Sequence, residues 1–220
     1  MLEKLFNNRL DNFLEKNNVI TDSQYGFRKN RSTSMALIEL IEKITESLDN
    51  KKITIGVFID LKKAFDTINH QLLLKKLYFY GVRGTVLHWI EWYLTHCQQY
   101  VQLGDTISDL LHVMCGVPQG SILSPKLFIL YINDICNVSK LLHLILFADD
   151  TNSFYTGSNL EDISTVLSNE LEKISVWFSL NKLSLNVSKT NYMIFSNKKL
   201  DSNKACIYFD KNHIICFTYI

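Results

Sequence analysis

Asp149 and Asp150 stand side by side at the end of an apolar run, Leu141 to Phe147, broken only by His143. A third carboxylate, Asp60, ends another apolar stretch, Ile53-Thr54-Ile55-Gly56-Val57-Phe58-Ile59, 89 residues before Asp149. The first run, with Thr151-Asn152-Ser153 turning the chain and Phe154-Tyr155 following, reads as a β-hairpin with two acids at its tip. The second reads as a strand. If the two are neighbours, three carboxylates meet at one point. Like charges held that close resist ionising together, and a hard divalent cation such as magnesium relieves the conflict. Acids in this arrangement suit two-metal phosphoryl transfer, in which one ion activates a hydroxyl and the other stabilises a leaving oxygen. Taken alone, Ala-Asp-Asp is weak evidence, because aspartates favour turns for purely structural reasons.

The elements that must position these acids follow from periodicity. Leu2, Leu5, Phe6, Leu10, Phe13 and Leu14 predict a helix over 2–16. Residues 21–32 are polar and loop-like around Gly26. Met35, Leu37, Ile38, Ile41, Ile44 and Leu48 mark a second helix, capped by Ser32 or Thr33. Along 53–60, alternation puts Ile53, Ile55, Val57 and Ile59 on one face and Thr54, Gly56, Phe58 and Asp60 on the other; the small residues beside Asp60 leave room for something to approach. Further helices are expected over 67–79, capped by Asp66, and over 85–95. Residues 98–103 and 106–114 form a hairpin around Gly104-Asp105, and Gly116-Val117-Pro118-Gln119-Gly120 breaks regular structure. Ser124-Pro125 opens a helix reaching about Ile135. Ile163 to Phe178 is helical, and 183–187 and 192–195 are short strands. The fold class is α+β, with a mostly antiparallel sheet covered on one face.

Composition narrows the classes. With 47% hydrophobic residues among 220, the chain is large enough for a substantial core and is not disordered. Its longest apolar run falls far short of the roughly 20 residues a membrane helix needs, and its start lacks the apolar block of a secretory signal. Five cysteines without Cys-x-x-Cys spacing read as reduced thiols of a cytosolic or nuclear protein. Net charge is only +1, but Lys173–Leu200 holds five lysines and no acid, and Arg28, Lys29 and Arg31 cluster between Asp22 and Glu39. Such patches could hold phosphates, although solvated faces look the same in a sequence. The six histidines show no ligand spacing.

The order of the motifs is more specific than any one of them. Asp60-Leu61-Lys62-Lys63-Ala64-Phe65-Asp66, Gly116-Val117-Pro118-Gln119-Gly120-Ser121, Phe147-Ala148-Asp149-Asp150 and Asn186-Val187-Ser188-Lys189-Thr190 resemble, in that order, the palm of reverse transcriptases. Upstream, Gln24-Tyr25-Gly26-Phe27-Arg28 with Arg31-Ser32-Thr33 looks like the preceding fingers block. Phe-Ala-Asp-Asp, Ala64-Phe65-Asp66 and Tyr131-Ile132-Asn133-Asp134 are similar to the non-LTR, LINE-like group of retrotransposons. The resemblance covers about residues 1–198.

It implies partial fingers over 1–50, a palm over 51–197 with an antiparallel sheet backed by helices, and a truncated tail over 198–220. It also implies an RNA-directed DNA polymerase acting on an RNA template, a DNA primer and deoxynucleoside triphosphates. Asp60, Asp149, Asp150 and the backbone oxygen of Leu61 would hold two magnesium ions, or manganese. Phe65 would be a steric gate against a ribose 2′-OH, and Gln119 and Gly120 would position template and incoming nucleotide. Lys189 would protonate departing pyrophosphate, and Arg28, or else Lys29 or Arg31, would contact template or triphosphate. Asn133 and Asp134 would support structure. The chain departs from the family pattern at both ends: no Arg-Pro-Ile-like motif precedes the fingers block, and 207–220 lacks the Phe-Leu-Gly-like primer grip. A thumb and an endonuclease region are therefore expected to be absent, and a catalytically inactive remnant that retains RNA binding is the alternative.

Overall fold

A computed structural model describes residues 2–198, 200 and 205–219. They form two compact units, one built from the chain up to Ile20 with Lys63–Ile132, the other from Thr21–Lys62 with everything from Asn133 onward.

The first unit is mainly helical. α1 (Leu2–Lys16) buries Leu10 and Leu14, and α3 (His70–Phe79) buries Leu73 and Leu77. α4 (Thr85–Thr95) buries Ile90 and Leu94, while Leu87, which the helical spacing also turns inward, is only half-buried. α5 (Ser124–Ile132) is buried almost all round, the mark of a helix at the centre of its unit. α3 begins at His70, later than expected, because Asn69 rather than Asp66 accepts the Leu72 N–H and caps it; residues 64–66 instead form a 3₁₀ turn. The hairpin at 98–112 forms as two short ladders, Gln98–Gln99 against Leu111–His112 and Gln102–Leu103 against Thr106–Ile107.

The second unit holds the sheet. Its strands are β1 (Ile53–Ile59), β2 (His143–Phe147), β3 (Asp150–Gly157), β4 (Asn191–Phe195) and β5 (Ile215–Tyr219), in the order β5-β4-β1-β3-β2. All neighbours are antiparallel except β4 and β5. The strand β5 was not visible as a pattern, yet within the tail expected over 198–220 it contributes an edge of the sheet. α6 (Leu160–Leu180), capped by Asn159, buries Ile163, Leu167, Leu171, Ile174 and Phe178. Gly157 pairs with Ile53 and faces Ile163, which places α6 on the face of Ile53, Ile55 and Val57.

The opposite face is covered too, contrary to the one-sided expectation. α2 (Thr33–Asp49), capped by Ser32, lies there, and Ala36 packs with Tyr25, Ile145 and Phe154. The helix meets the sheet through Ala36, Leu40 and Ser47, whose hydroxyl accepts a hydrogen bond from Thr54 at 2.7 Å. Rings already fill the sheet surface, so the small residues sit inward, while Leu37, Ile38 and Ile41 remain exposed. The space over Gly56 itself is filled, and the room expected beside Asp60 opens instead along Leu40, Phe58 and Phe147. The Phe154 ring crosses over Gly56 so closely that a β-carbon there would lie 2.5 Å from Phe154 Cε1. Glycine at this position serves ring packing, not access to Asp60.

Candidate active site

Strand register brings the acids to one end of the sheet. Ile59 pairs with Thr151, so Asp60 and Asp150 are the next residues on two neighbouring strands. Phe147 pairs with Asp150, which leaves Ala148-Asp149 as a two-residue turn. The turn is tighter and three residues earlier than the Thr151–Ser153 turn expected from composition, and Asp150 is already strand. Ala148 takes the left-handed conformation at φ +56°, a geometry that costs an L-residue roughly 1–2 kcal/mol.

A second set of contacts fixes Asp60. Asn186 Nδ2 donates to Asp60 Oδ2 at 2.7 Å, the Asn186 N–H donates to the Asp60 carbonyl at 2.8 Å, and the Asp60 N–H donates to Thr190 Oγ1 at 3.2 Å. Leu61 follows and pairs with Leu185. The 186–190 turn therefore wraps the end of β1 and carries Lys189 with it. Asn186 and Thr190 were visible in the sequence only as motif members; nothing there told that their side chains grip Asp60.

Asp150 is exposed, yet the surrounding protein displaces enough water to push its carboxyl above the ordinary range, and the charges of Asp149 and then Asp60 add to the rise. The three acids thus share one electrostatic environment. The folded state binds the Asp150 proton more tightly than the unfolded chain does, so stability is present at low pH and is lost as pH rises through the raised value. In EDTA, Asp150→Asn is expected to melt higher than the parent at pH 7, by a small margin because the group is exposed and screened. The two should melt together near pH 3, where both states are protonated. A variant no more stable than the parent at pH 7 would contradict this coupling.

A cleft of about 420 Å³ opens beside the acids, lined by Asp60, Asp150 and Lys189 and walled by Phe58, Phe147 and Leu40. Hard oxygen donors at this place fit a divalent cation. Among the described residues no group of three or more His, Cys, Asp or Glu is already gathered closely enough to hold one.

Arg28 turns inward. Its Nη1 donates to the Thr21 carbonyl at 2.7 Å, and both it and Arg31 approach Asp22, at 3.7 and 3.1 Å. Lys29 is exposed. The Thr21 N–H is held by Asn133 Oδ1 at 2.8 Å, a structural use of Asn133. His143 lies 2.8 Å from Glu39 Oε1. Phe65, Gln119 and Gly120 belong to the helical unit. Phe65 is half-buried, stacked on Phe128 with centroids 4.4 Å apart. Gln119 Nε2 donates to Asp66 Oδ1 at 2.8 Å, so Asp66 serves the Gly116–Gly120 loop instead of a helix end. Gly120 is exposed at φ +85°.

Residues 1–212 match the model of the reverse transcriptase (RNA-dependent DNA polymerase) family. The chain belongs to this family. The match runs beyond the 198 residues of the motif resemblance. A probable RNA-directed DNA polymerase from transposon BS of Drosophila melanogaster is 29% identical over 93% of this chain and 23% of its own length. That from the X-element of the same fly is 28% identical over 90% and 22%, and that from its mobile element jockey 25% over 90% and 22%. The chain thus spans under a quarter of the length of these curated relatives. Among solved structures, telomerase of Candida tropicalis in complex with a TWJ fragment of telomeric RNA superposes with a TM-score of 0.64 at 15% identity, over 90% of this chain and 36% of that one. At that identity the likeness concerns the reverse transcriptase fold. Among the described residues no helix is long and apolar enough to cross a membrane.

Proposed function

We propose that this chain is the catalytic part of a retrotransposon RNA-directed DNA polymerase, extending a DNA primer on an RNA template with deoxynucleoside triphosphates. The observation that carries the reading is the register of β1 and β3, which sets Asp60 beside Asp150 and the Asp149 turn. Three carboxylates at one strand end repel one another, and hard divalent cations, two magnesium ions or manganese, are the natural partners to relieve that repulsion. When bound, such ions lower the pKa of an attacking 3′-hydroxyl and neutralise charge on the phosphates.

The chain's own residues supply the rest. Asp60 and Asp149, with Asp150 and the Leu61 carbonyl, would hold the cations, and Asn186 keeps Asp60 aimed. Lys189, exposed at the cleft, donates a proton to pyrophosphate. The loop of Arg28, Lys29 and Arg31 offers positive charge to template or triphosphate; Lys29 reaches solvent most directly. Phe65 excludes the ribose 2′-OH, and Gln119 and Gly120 order template and nucleotide. The sheet with Asp60, Asp149 and Asp150 corresponds to a palm, and the segment before it to part of the fingers. Such work suits a cytoplasmic or nuclear protein.

Extension of oligo(dT) on poly(rA) with dTTP and magnesium tests this. The parent chain is expected to extend the primer, and Asp149→Ala to reduce product at least about 10³-fold, as loss of several kcal/mol of charge stabilisation requires. Extension that survives Asp149→Ala would remove these acids from the site.

A further inference from the structure

The Ala148-Asp149 turn does not stand unsupported. Gln24, 1% exposed, aims its side chain at the turn from outside the hairpin. Gln24 Oε1 accepts the Ala148 N–H at 3.2 Å and the Gly26 N–H at 2.7 Å. Because two N–H donors face this atom, it must be the amide oxygen, and the side-chain orientation follows from that. The main chain on either side of Gln24 is anchored to the edge strand β2: Tyr25 N donates to Leu146 O, and Leu146 N donates to Ser23 O, both at 2.8 Å. Gly26 presses on the same turn, where a β-carbon would lie 2.3 Å from Ala148 N. The segment 23–26 is thus a small seat fitted to the residue immediately before Asp149.

The unused half of the amide shows what Gln24 is for. Its Nε2 is buried and has no hydrogen-bond partner among the described residues. An unsatisfied buried donor costs about 1–3 kcal/mol, so a residue that only filled space would be better as methionine. The acceptor offsets that cost by satisfying the N–H of an alanine held in the left-handed region, a conformation that persists only where its surroundings impose it. Ala148 sets the direction in which Asp149 and Asp150 leave the turn.

We infer that Gln24 is a positioning residue for the carboxylate pair: its Oε1 locks the Ala148 N–H and so sets how tightly Asp149 and Asp150 bind a divalent cation. This rests on the reading of those acids as cation ligands given above, and the test keeps the two separable. Residues that orient ligands from behind alter metal affinity or activity about 10–100-fold when replaced.

Gln24→Met preserves volume and removes the acceptor; Gln24→Glu keeps an oxygen acceptor for the Ala148 N–H but exchanges the idle donor for an ionisable oxygen, so it serves the exchange readout alone. Amide hydrogen exchange of the metal-free chain is the first readout. Ala148 should exchange at least about ten times faster in Gln24→Met and keep parent-like protection in Gln24→Glu, with Ile55 and Val57 of β1 unchanged in both. Manganese binding followed by electron paramagnetic resonance is the second, and needs no turnover. Gln24→Met should bind about tenfold or more weakly than the parent. In primed extension its half-saturating magnesium should rise by a similar factor, with KM for primer–template within about twofold of the parent's. Parent-like protection of Ala148 in Gln24→Met overturns the inference. So does equal manganese affinity, or loss of protection spread equally over β1, which would mark a merely structural role. A parent that binds manganese through Asp149 but extends no primer would instead count against the proposed polymerase activity and leave the role of Gln24 standing.

Discussion

Asp60→Asn is expected to leave the fold intact and to depress primer extension by at least about three orders of magnitude. The substitution is nearly isosteric. The Asn186 amide that donates to Asp60 Oδ2 can donate equally to an asparagine oxygen, and the backbone bonds to Asn186 and Thr190 do not depend on the side chain. What is lost is one negative oxygen at the strand end that Asp60 shares with Asp149 and Asp150. Charge stabilisation by a bound cation is worth several kcal/mol in such reactions, and about 4 kcal/mol corresponds to roughly a 10³-fold change in rate. A binding signature should accompany the kinetic one. Magnesium is expected to raise the melting temperature of the parent, because a ligand of the native state stabilises it by mass action. The rise should vanish in Asp60→Asn. An Asp60→Asn chain that keeps both its magnesium-dependent stabilisation and its extension rate would separate Asp60 from the hairpin acids and leave the strand register without chemical meaning.

The placement of the acids at neighbouring strand ends was legible because an apolar strand, a terminal carboxylate and motif order coincide on them. The strand alternation of 53–59 fixed which residues face α6, and Ile55 and Val57 are fully buried as that pattern requires. Three features were not legible, each for a physical reason. The turn at Ala148-Asp149 uses an alanine where composition points to Thr151-Asn152-Ser153, because Gln24 and Gly26, more than 120 residues away, support a conformation alanine does not choose. The inward face of α2 is not its apolar stripe, because the rings of Phe154 and Phe58 set that face and select Ala36 and Ser47 over larger side chains. The strand β5 lacks alternation because its identity comes from pairing with β4, and pairing partners are not written in local periodicity. In each case a long-range contact overrides a local preference, and at the acids that override falls where the proposed chemistry takes place.

The same argument applies to Lys126, a charge that helical periodicity would place on a surface and that the fold buries. α5 is otherwise apolar around this position, and Lys126 Nζ lies 2.7 Å from Asp11 Oδ1 of α1, the two side chains 9% and 12% exposed. Asn7 Nδ2 also donates to Asp11, at 3.2 Å. Removing one member of a buried pair leaves the other charge without compensation, at a cost of about 3–5 kcal/mol. For a chain of this length each kcal/mol moves the melting temperature by about 2–4 °C, so Lys126→Met should melt at least about 6 °C below the parent. The pair itself need not be net stabilising, since desolvation of two ions opposes their attraction. Asp11→Leu combined with Lys126→Met is therefore expected to recover most of the loss. Calorimetry of the parent, the single variant and the double variant distinguishes the cases. A single variant melting within about 1 °C of the parent would mean that Asp11 escapes to water when its partner goes, and a double variant no better than the single would mean that α5 needs the lysine's shape rather than its charge.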